Sequence, residues 1–334
     1  MIVKTFPLIR PGVFSTQFEE LKTTSESIIV RPDLLSICAA DQRYYFGLRP
    51  GVVLQKKLPM VLIHEAIGTV IHSSSPDLKK GDRVILLPCG VGADVNSNYE
   101  VGAFFRSSNA PGFCQELVSL NKSEVVKISD DSESDSYVFT ELLSVCFQAL
   151  RQVKSEVVAA CNIAIWGDGS LGYLMSYLIK SLYPEKKLVS IGKHEEKLSH
   201  FSFSDQIETV FARSTQSYDL LIECVGGSGA QNAIQEMIDA ALPRATILLT
   251  GVSESPPMIN TRSILEKGLV LKGTTRSIRE DFVCAERFLL NPKNKQLLRV
   301  LESERVRVKD ANDLKVAFES SKSSLFKTVI EFVP

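Results

Sequence analysis

Several absences narrow what this 334-residue chain can be. No stretch reaches the roughly 18 consecutive apolar residues that a membrane span needs, so none is expected. The opening Met1–Pro7 has no long apolar core, which argues against a signal peptide. A surplus of one charge is missing as well: 38 Lys and Arg stand against 39 Asp and Glu, a formal net charge of -1. Such a chain has no general field to draw nucleic acid or an acidic membrane face, so any basic site must be local. The seven cysteines are odd in number and scattered, unlike a disulfide framework, and a reducing cytoplasm is the expected location. Low-complexity tracts and repeats of fixed period are absent too.

What is present is an ordinary globular composition, 44% hydrophobic and 23% charged, at a length that suits two domains. Up to about Lys127, short β-type runs (Ser27–Arg31, Ile67–His72, Arg83–Leu87, Glu116–Ser119) alternate with turns marked by Pro59, Gly68, Gly81, Pro88 and Gly112. That rhythm suits a small β-barrel-like unit. Glu141–Val153 then has helical spacing, after which βα alternation sets in. Strands are expected at Ile163–Trp166, Lys187–Ile191, Leu220–Cys224, Ala245–Leu249 and Leu269–Gly273, with helices at Leu171–Leu182 and Gln231–Ala241. This implies an α/β domain with a doubly wound parallel sheet. The tail holds an amphipathic helix around Asp281–Leu290 and a final strand, Lys327–Phe332, which has no βα partner nearby and is expected to return to the first domain.

Two constellations carry chemistry. Cys38, the pair His64-Glu65 and Glu141 supply a thiolate, an imidazole and carboxylates, which can hold three corners of a zinc tetrahedron and leave the fourth open. Gly167-Asp168-Gly169-Ser170-Leu171-Gly172 follows an apolar strand and opens a long helix, the setting that makes G-x-G-x-x-G a dinucleotide site. Gly167 makes the turn, Gly169 lets the backbone approach a pyrophosphate, and Gly172 permits close helix–strand packing. At the end of the second strand, where NAD sites place an acid, the chain has Gly192 followed by Lys193 and His194. A small residue and a cation there favour NADP(H), with Lys193 the first residue to mutate.

The order Cys38, His64-Glu65, Glu141, then the glycine turn resembles the zinc-dependent medium-chain dehydrogenases over almost the whole chain. The resemblance implies a GroES-like β-rich catalytic domain (1–146 and 277–334) and a Rossmann cofactor domain (147–276). It makes Glu141 the third zinc ligand and Glu65 a carboxylate behind the metal that can transiently ligate it. Asp41 becomes the acceptor that fixes the tautomer of His64. Cys224, in Glu223–Gly227, and Gly251, in Leu249–Ser253, fall at strand ends that touch the adenosine and nicotinamide sides in relatives. Two departures concern the proton relay: Ala40 stands where most relatives have Ser or Thr, and Arg43 where a histidine is usual. Tyr44, Tyr45 or an ordered water would have to serve instead. The lobe between Cys89 and Cys114 has only those two cysteines, too few for a four-thiolate structural zinc, so one zinc is expected. Cys89, Cys114, Cys146, Cys161, Cys224 and Cys284 are expected to be packing residues.

Arg43 and Lys56-Lys57 place cations, and Tyr44 a hydroxyl, close in sequence to Cys38, and Arg106-Ser107-Ser108 offers a second cationic fork with hydroxyls, as an anionic substrate would need. Ser36–Tyr45, Phe105–Ser108, Trp166–Tyr173 and Glu223–Gly227 are similar to the ribulose-5-phosphate reductases of teichoic acid and capsule synthesis. That resemblance implies reduction of D-ribulose 5-phosphate to D-ribitol 5-phosphate by NADPH. The product would go to a cytidylyltransferase, with which a complex is conceivable, to make CDP-ribitol. Arg43, Tyr44, Lys57, Arg106 and Ser107 are the expected substrate contacts. Family members are commonly dimers or tetramers joined through edge strands; a homodimer is expected, and Leu269–Gly273 could serve. Two other readings stay open: an NAD-dependent polyol or sorbitol dehydrogenase, which would treat phosphorylated and free ketoses alike, and a non-catalytic dinucleotide-binding sensor, which would hold no zinc.

Overall fold

A computed structural model describes residues 1–90, 99, 103–129, 134–212 and 216–334. The chain divides into two units, Met1–Ser144 with Ser277–Pro334, and Val145–Arg276.

The first unit is built on a seven-stranded sheet. Its order is Val125–Lys127, Arg83–Leu86, Glu65–Ser73, Ile28–Ser36, Lys327–Phe332 and Glu302–Val308, with Val118–Leu120 also paired to Ile28–Ser36. The last strand of the chain runs antiparallel to Ile28–Ser36, with Val329 opposite Ser36, while Glu65 lies opposite Ser36 on the other side. Three segments far apart in sequence therefore meet at one end of one strand. Glu302–Val308, Glu-Ser-Glu-Arg-Val-Arg-Val, has too much charge to read as a strand in the sequence, yet it forms the sheet's edge. Charged side chains there discourage pairing with a further strand.

The segment after Cys38 is a helix, Ala39–Tyr45. Aromatic packing fixes it. Tyr45 stacks on Phe14 at 5.5 Å and packs on Phe318 at 4.9 Å, deep in the core of this unit. Full burial of such rings contributes about 1.5–3 kcal/mol each.

The second unit is a parallel six-stranded sheet ordered Gln206–Thr209, Lys187–Gly192, Asn162–Trp166, Tyr218–Glu223, Ala241–Leu249, Val270–Gly273. Helix Ser170–Leu182 follows the strand Asn162–Trp166 through the glycine turn, and helix Ala230–Ala240 buries one face against the sheet. The edge strand Gln206–Thr209 escapes the sequence reading because its Gln-Ile-Glu-Thr holds one apolar residue. Among the described residues no helix is long and apolar enough to cross a membrane.

Candidate active site

Cys38 caps the N-terminus of helix Ala39–Tyr45, and Glu65 begins the strand Glu65–Ser73. Ile63, just before His64, has φ +71, a conformation that β-branched residues adopt only under constraint. The constraint is visible: the Ile63 N–H donates to Asp41 Oδ1 at 3.1 Å, and the Phe113 N–H donates to the Ile63 carbonyl at 2.7 Å. Strain of about 1–3 kcal/mol is retained here to aim the next side chain. Gly112 lies so close that a Cβ on it would meet the Leu62 carbonyl oxygen at 2.2 Å and that of Ile63 at 2.5 Å. Backbone cannot swing aside, so Gly112→Ala is expected to cost about 1–3 kcal/mol and to disturb His64. Thermal unfolding together with zinc content per chain measures both; a variant unchanged in each contradicts the role assigned to this close approach.

Asp41 is fully buried and organises the site. Its Oδ2 lies 3.4 Å from His64 Nδ1 and accepts the Cys38 N–H at 3.3 Å; its Oδ1 accepts the Ser107 hydroxyl as well as Ile63 N–H. Burial pushes the Asp41 carboxyl up, but the pairing with His64 and the bonds from Ser107 and Ile63 outweigh it and hold the group below its usual range. Burial likewise disfavours a charged imidazole, yet Asp41 and Cys38 overcome it and hold His64 well above 6.5.

One ligand atom each from Cys38, His64 and Glu65 lies within 4.8 Å of the other two. Glu141, in the first turn of helix Thr140–Gln152, is buried and feels the charges of His64, Glu65, Lys327 and Asp41, but it stands outside this trio. Its carboxyl is pushed up to about 7, first by burial and then by Glu65 and Asp41. Four acidic groups (Cys38, Asp41, Glu65, Glu141) thus share a buried site with two basic ones, His64 and Lys327. Glu65 Oε2 is buried with no hydrogen-bond partner. A soft sulfur donor, an imidazole and carboxylates with one orphaned oxygen fit a divalent cation of zinc's ligand preferences.

Lys327 is marked in the sequence only as the start of the final strand and not as a site residue. It is 4% exposed, and its Nζ donates to Glu65 Oε1 and reaches the Ile37 carbonyl at 3.5 Å. Burial would depress its ammonium, but Glu65, Cys38 and Glu141 raise it above the usual value. A lysine 262 residues from its carboxylate leaves no spacing signal.

The candidate substrate residues separate. Arg106 is committed within the protein: Nη2 donates to Glu124 Oε1 at 2.7 Å, Nη1 to the Pro111 carbonyl at 3.3 Å, and the guanidinium lies over the Phe104 and Phe113 rings. Ser107 is buried and given over to Asp41. Arg43 and Lys57 remain partly exposed on the helices Ala39–Tyr45 and Gly51–Lys57. Tyr44 is buried beneath the Arg49 guanidinium. Tyr45, considered above for proton transfer, is sealed in the core, and its hydroxyl donates to Glu319 at 2.8 Å. Burial and that carboxylate push its hydroxyl well above 10, which removes it as a relay. None of the seven cysteines is in a disulfide; Cys161 and Cys284 are exposed and so are not packing residues. Residues 91–98 and 100–102 of the lobe between Cys89 and Cys114 lie outside the described residues.

In the second unit, Gly167 has φ +135, and a Cβ on Gly172 would sit 1.9 Å from the Gly167 carbonyl oxygen. A Cβ on Gly169 would meet nothing within 4 Å, so the turn presents open backbone at the N-terminus of helix Ser170–Leu182. This cradle fits a dinucleotide's pyrophosphate. At the neighbouring strand end Glu223, buried, accepts the N–H groups of Val225, Gly226 and Gly251 at 2.7–2.8 Å. One carboxylate thereby ties together the two strand-end segments that hold Cys224 and Gly251. The space beside Gly192 is filled by the Asp168 side chain. Ser170 and Leu171 form the first turn of the helix, and Lys193 is exposed.

Residues 24–130 match the alcohol dehydrogenase GroES-like domain family. Ribulose-5-phosphate reductase 1 of Staphylococcus aureus is 39% identical, covering 100% of both chains. The ribulose-5-phosphate reductase of Bacillus spizizenii is 38% identical over 99% of each. The crystal structure of S. aureus TarJ in complex with NADPH superposes with a TM-score of 0.89 at 37% identity, over 100% of both chains. The chain belongs to the medium-chain dehydrogenase family, in the branch formed by its ribulose-5-phosphate reductases.

Proposed function

We propose that this chain is a zinc-dependent reductase that converts D-ribulose 5-phosphate to D-ribitol 5-phosphate with NADPH, and so supplies CDP-ribitol for wall teichoic acid or capsule polymers. The observation that carries this is the convergence of Cys38, His64 and Glu65 donors in a chain alike end to end to ribulose-5-phosphate reductases. A zinc ion held there supplies Lewis acidity and NADPH supplies hydride. The residues present the rest of the apparatus. Asp41 holds the orientation of His64, and Lys327 holds Glu65. Glu141, with a carboxyl near 7, sits at the pH where it can take up or give a proton, or complete the ligand set. Arg43 and Lys57 are the proposed phosphate contacts, as partly exposed cations on the two helices that follow Cys38 in the chain. The sensor reading is disfavoured because it expects these donors to be lost.

The subunits are proposed to pair as a homodimer through the strand Val270–Gly273. It is an open edge whose Val270 is exposed, near the exposed Leu265 and Met258 in sequence, unlike the charged edge Glu302–Val308. Seven thiols outside any disulfide suit the proposed cytoplasmic location.

Initial rates with D-ribulose 5-phosphate and with free D-ribulose test the substrate. Loss of one or two charge-assisted contacts, about 3 kcal/mol, predicts roughly a hundredfold lower kcat/KM for the free sugar. Equal rates would remove the assignment.

A further inference from the structure

At the carboxyl end of the second strand of a dinucleotide domain, a side chain reads the adenosine ribose. Here that strand ends in Gly192, and the group occupying the space comes from the glycine turn. Asp168 Oδ2 accepts the backbone N–H of Lys193 at 2.6 Å and of His194 at 2.7 Å, and lies 3.0 Å from His194 Nδ1. A Cβ on Gly192 would come within 2.5 Å of the Asp168 Cβ and 2.9 Å of Oδ2. Gly192 is therefore required for Asp168 to reach across. Two amides and an imidazole converging on one point make an anion-binding nest. The chain fills that nest with its own carboxylate, which is 13% exposed.

We propose that Asp168 is the residue that sets the ratio of NADH to NADPH binding. Its carboxylate takes the place of the missing strand-end acid. It can accept a ribose 2′-hydroxyl, and it repels a 2′-phosphate while occupying the donors that phosphate would use. Lys193 favours the phosphate, and Asp168 moderates that preference. Removing the carboxylate acts twice in the same direction, because repulsion ends and the Lys193 and His194 amides are released. The proposal rests on the reading of Gly167–Gly172 as the coenzyme turn.

Dissociation constants for NADPH and NADH, from coenzyme fluorescence on the intact protein, test it without catalysis. Asp168→Ser is expected to tighten NADPH and weaken NADH, moving the ratio of the two constants by about tenfold toward NADPH. Gly192→Ala leaves the carboxylate in the sequence but displaces it, and should move the ratio the same way. Asp168→Asn keeps the shape and removes the charge, so a shift there assigns the effect to repulsion. Should the serine variant fail to fold, the other two decide the matter. An unchanged ratio in the folded variants, with both coenzymes still bound, overturns the proposal and leaves the coenzyme site standing. A wild-type protein that binds neither coenzyme overturns both.

Discussion

Cys38→Ala is expected to lower kcat/KM by on the order of a thousandfold or more, with zinc content falling in step, because Lewis acidity at the carbonyl accounts for several kcal/mol. The thiolate is the softest donor of the trio and has no substitute nearby: Cys114 is buried, its thiol pushed far above 9 by burial. Metal analysis of the purified variant separates this outcome from a folding defect, since Cys38 caps a helix whose position is set by Tyr45 rather than by the thiol. A variant with full zinc and ordinary turnover would sink the site. The same geometry gives a pH dependence of metal retention. Asp41 and Cys38 hold the His64 proton at pH values above its usual 6.5, and zinc needs that nitrogen neutral. Protons therefore compete with the metal. Zinc should be retained at alkaline pH and lost progressively as pH falls through the raised value, by about tenfold in affinity per unit for one displaced proton. Asp41→Asn weakens the hold on His64 and should cost about 10–100-fold in affinity.

How much of this the sequence discloses depends on the range of the interaction. The glycine turn and the alternating strands of the second unit are local patterns, and the structure places those strands within a few residues of the expected positions. Cys38 and His64-Glu65 are legible for another reason: their order along the chain resembles a family. The same resemblance pairs Asp41 with His64, but nothing in the sequence points to the group that balances Glu65 or to the groups that hold Asp41. Lys327 and Glu65 meet because the last strand docks beside Ile28–Ser36, and Asp41 binds Ser107 through a loop 66 residues away. Arg106 reads as a phosphate fork because its partner, Glu124, lies 18 residues further on and belongs to no motif. What lies beside Gly192 is hidden for a similar reason. A glycine shows only that its own side chain is missing, and the neighbour that fills the gap is 24 positions earlier, in the turn. Chemistry written in residue types at short spacing is readable, whereas charge balance is settled by the packing of distant strands.

That balance makes Lys327→Met the second large effect. The ammonium is buried against Glu65, whose other oxygen has no hydrogen-bond partner. Removing the cation leaves a carboxylate in low dielectric beside Asp41 and Glu141, and breaking such a pair from one side costs about 3–5 kcal/mol. A lost aliphatic stem cannot explain a loss of that size, since methionine replaces most of its volume. Two further measurements distinguish charge from packing. Lys327→Met combined with Glu65→Gln should recover most of the stability, because the uncompensated charge is gone. Zinc should also rescue the single variant more than it stabilises the wild type, because the dication supplies the positive charge that the lysine no longer does. Urea unfolding of both variants, with metal and with a chelator, reads all of this. A single-variant loss below about 1 kcal/mol, or a double variant as unstable as the single, would show that Lys327 serves packing alone and that Glu65 is balanced by another group.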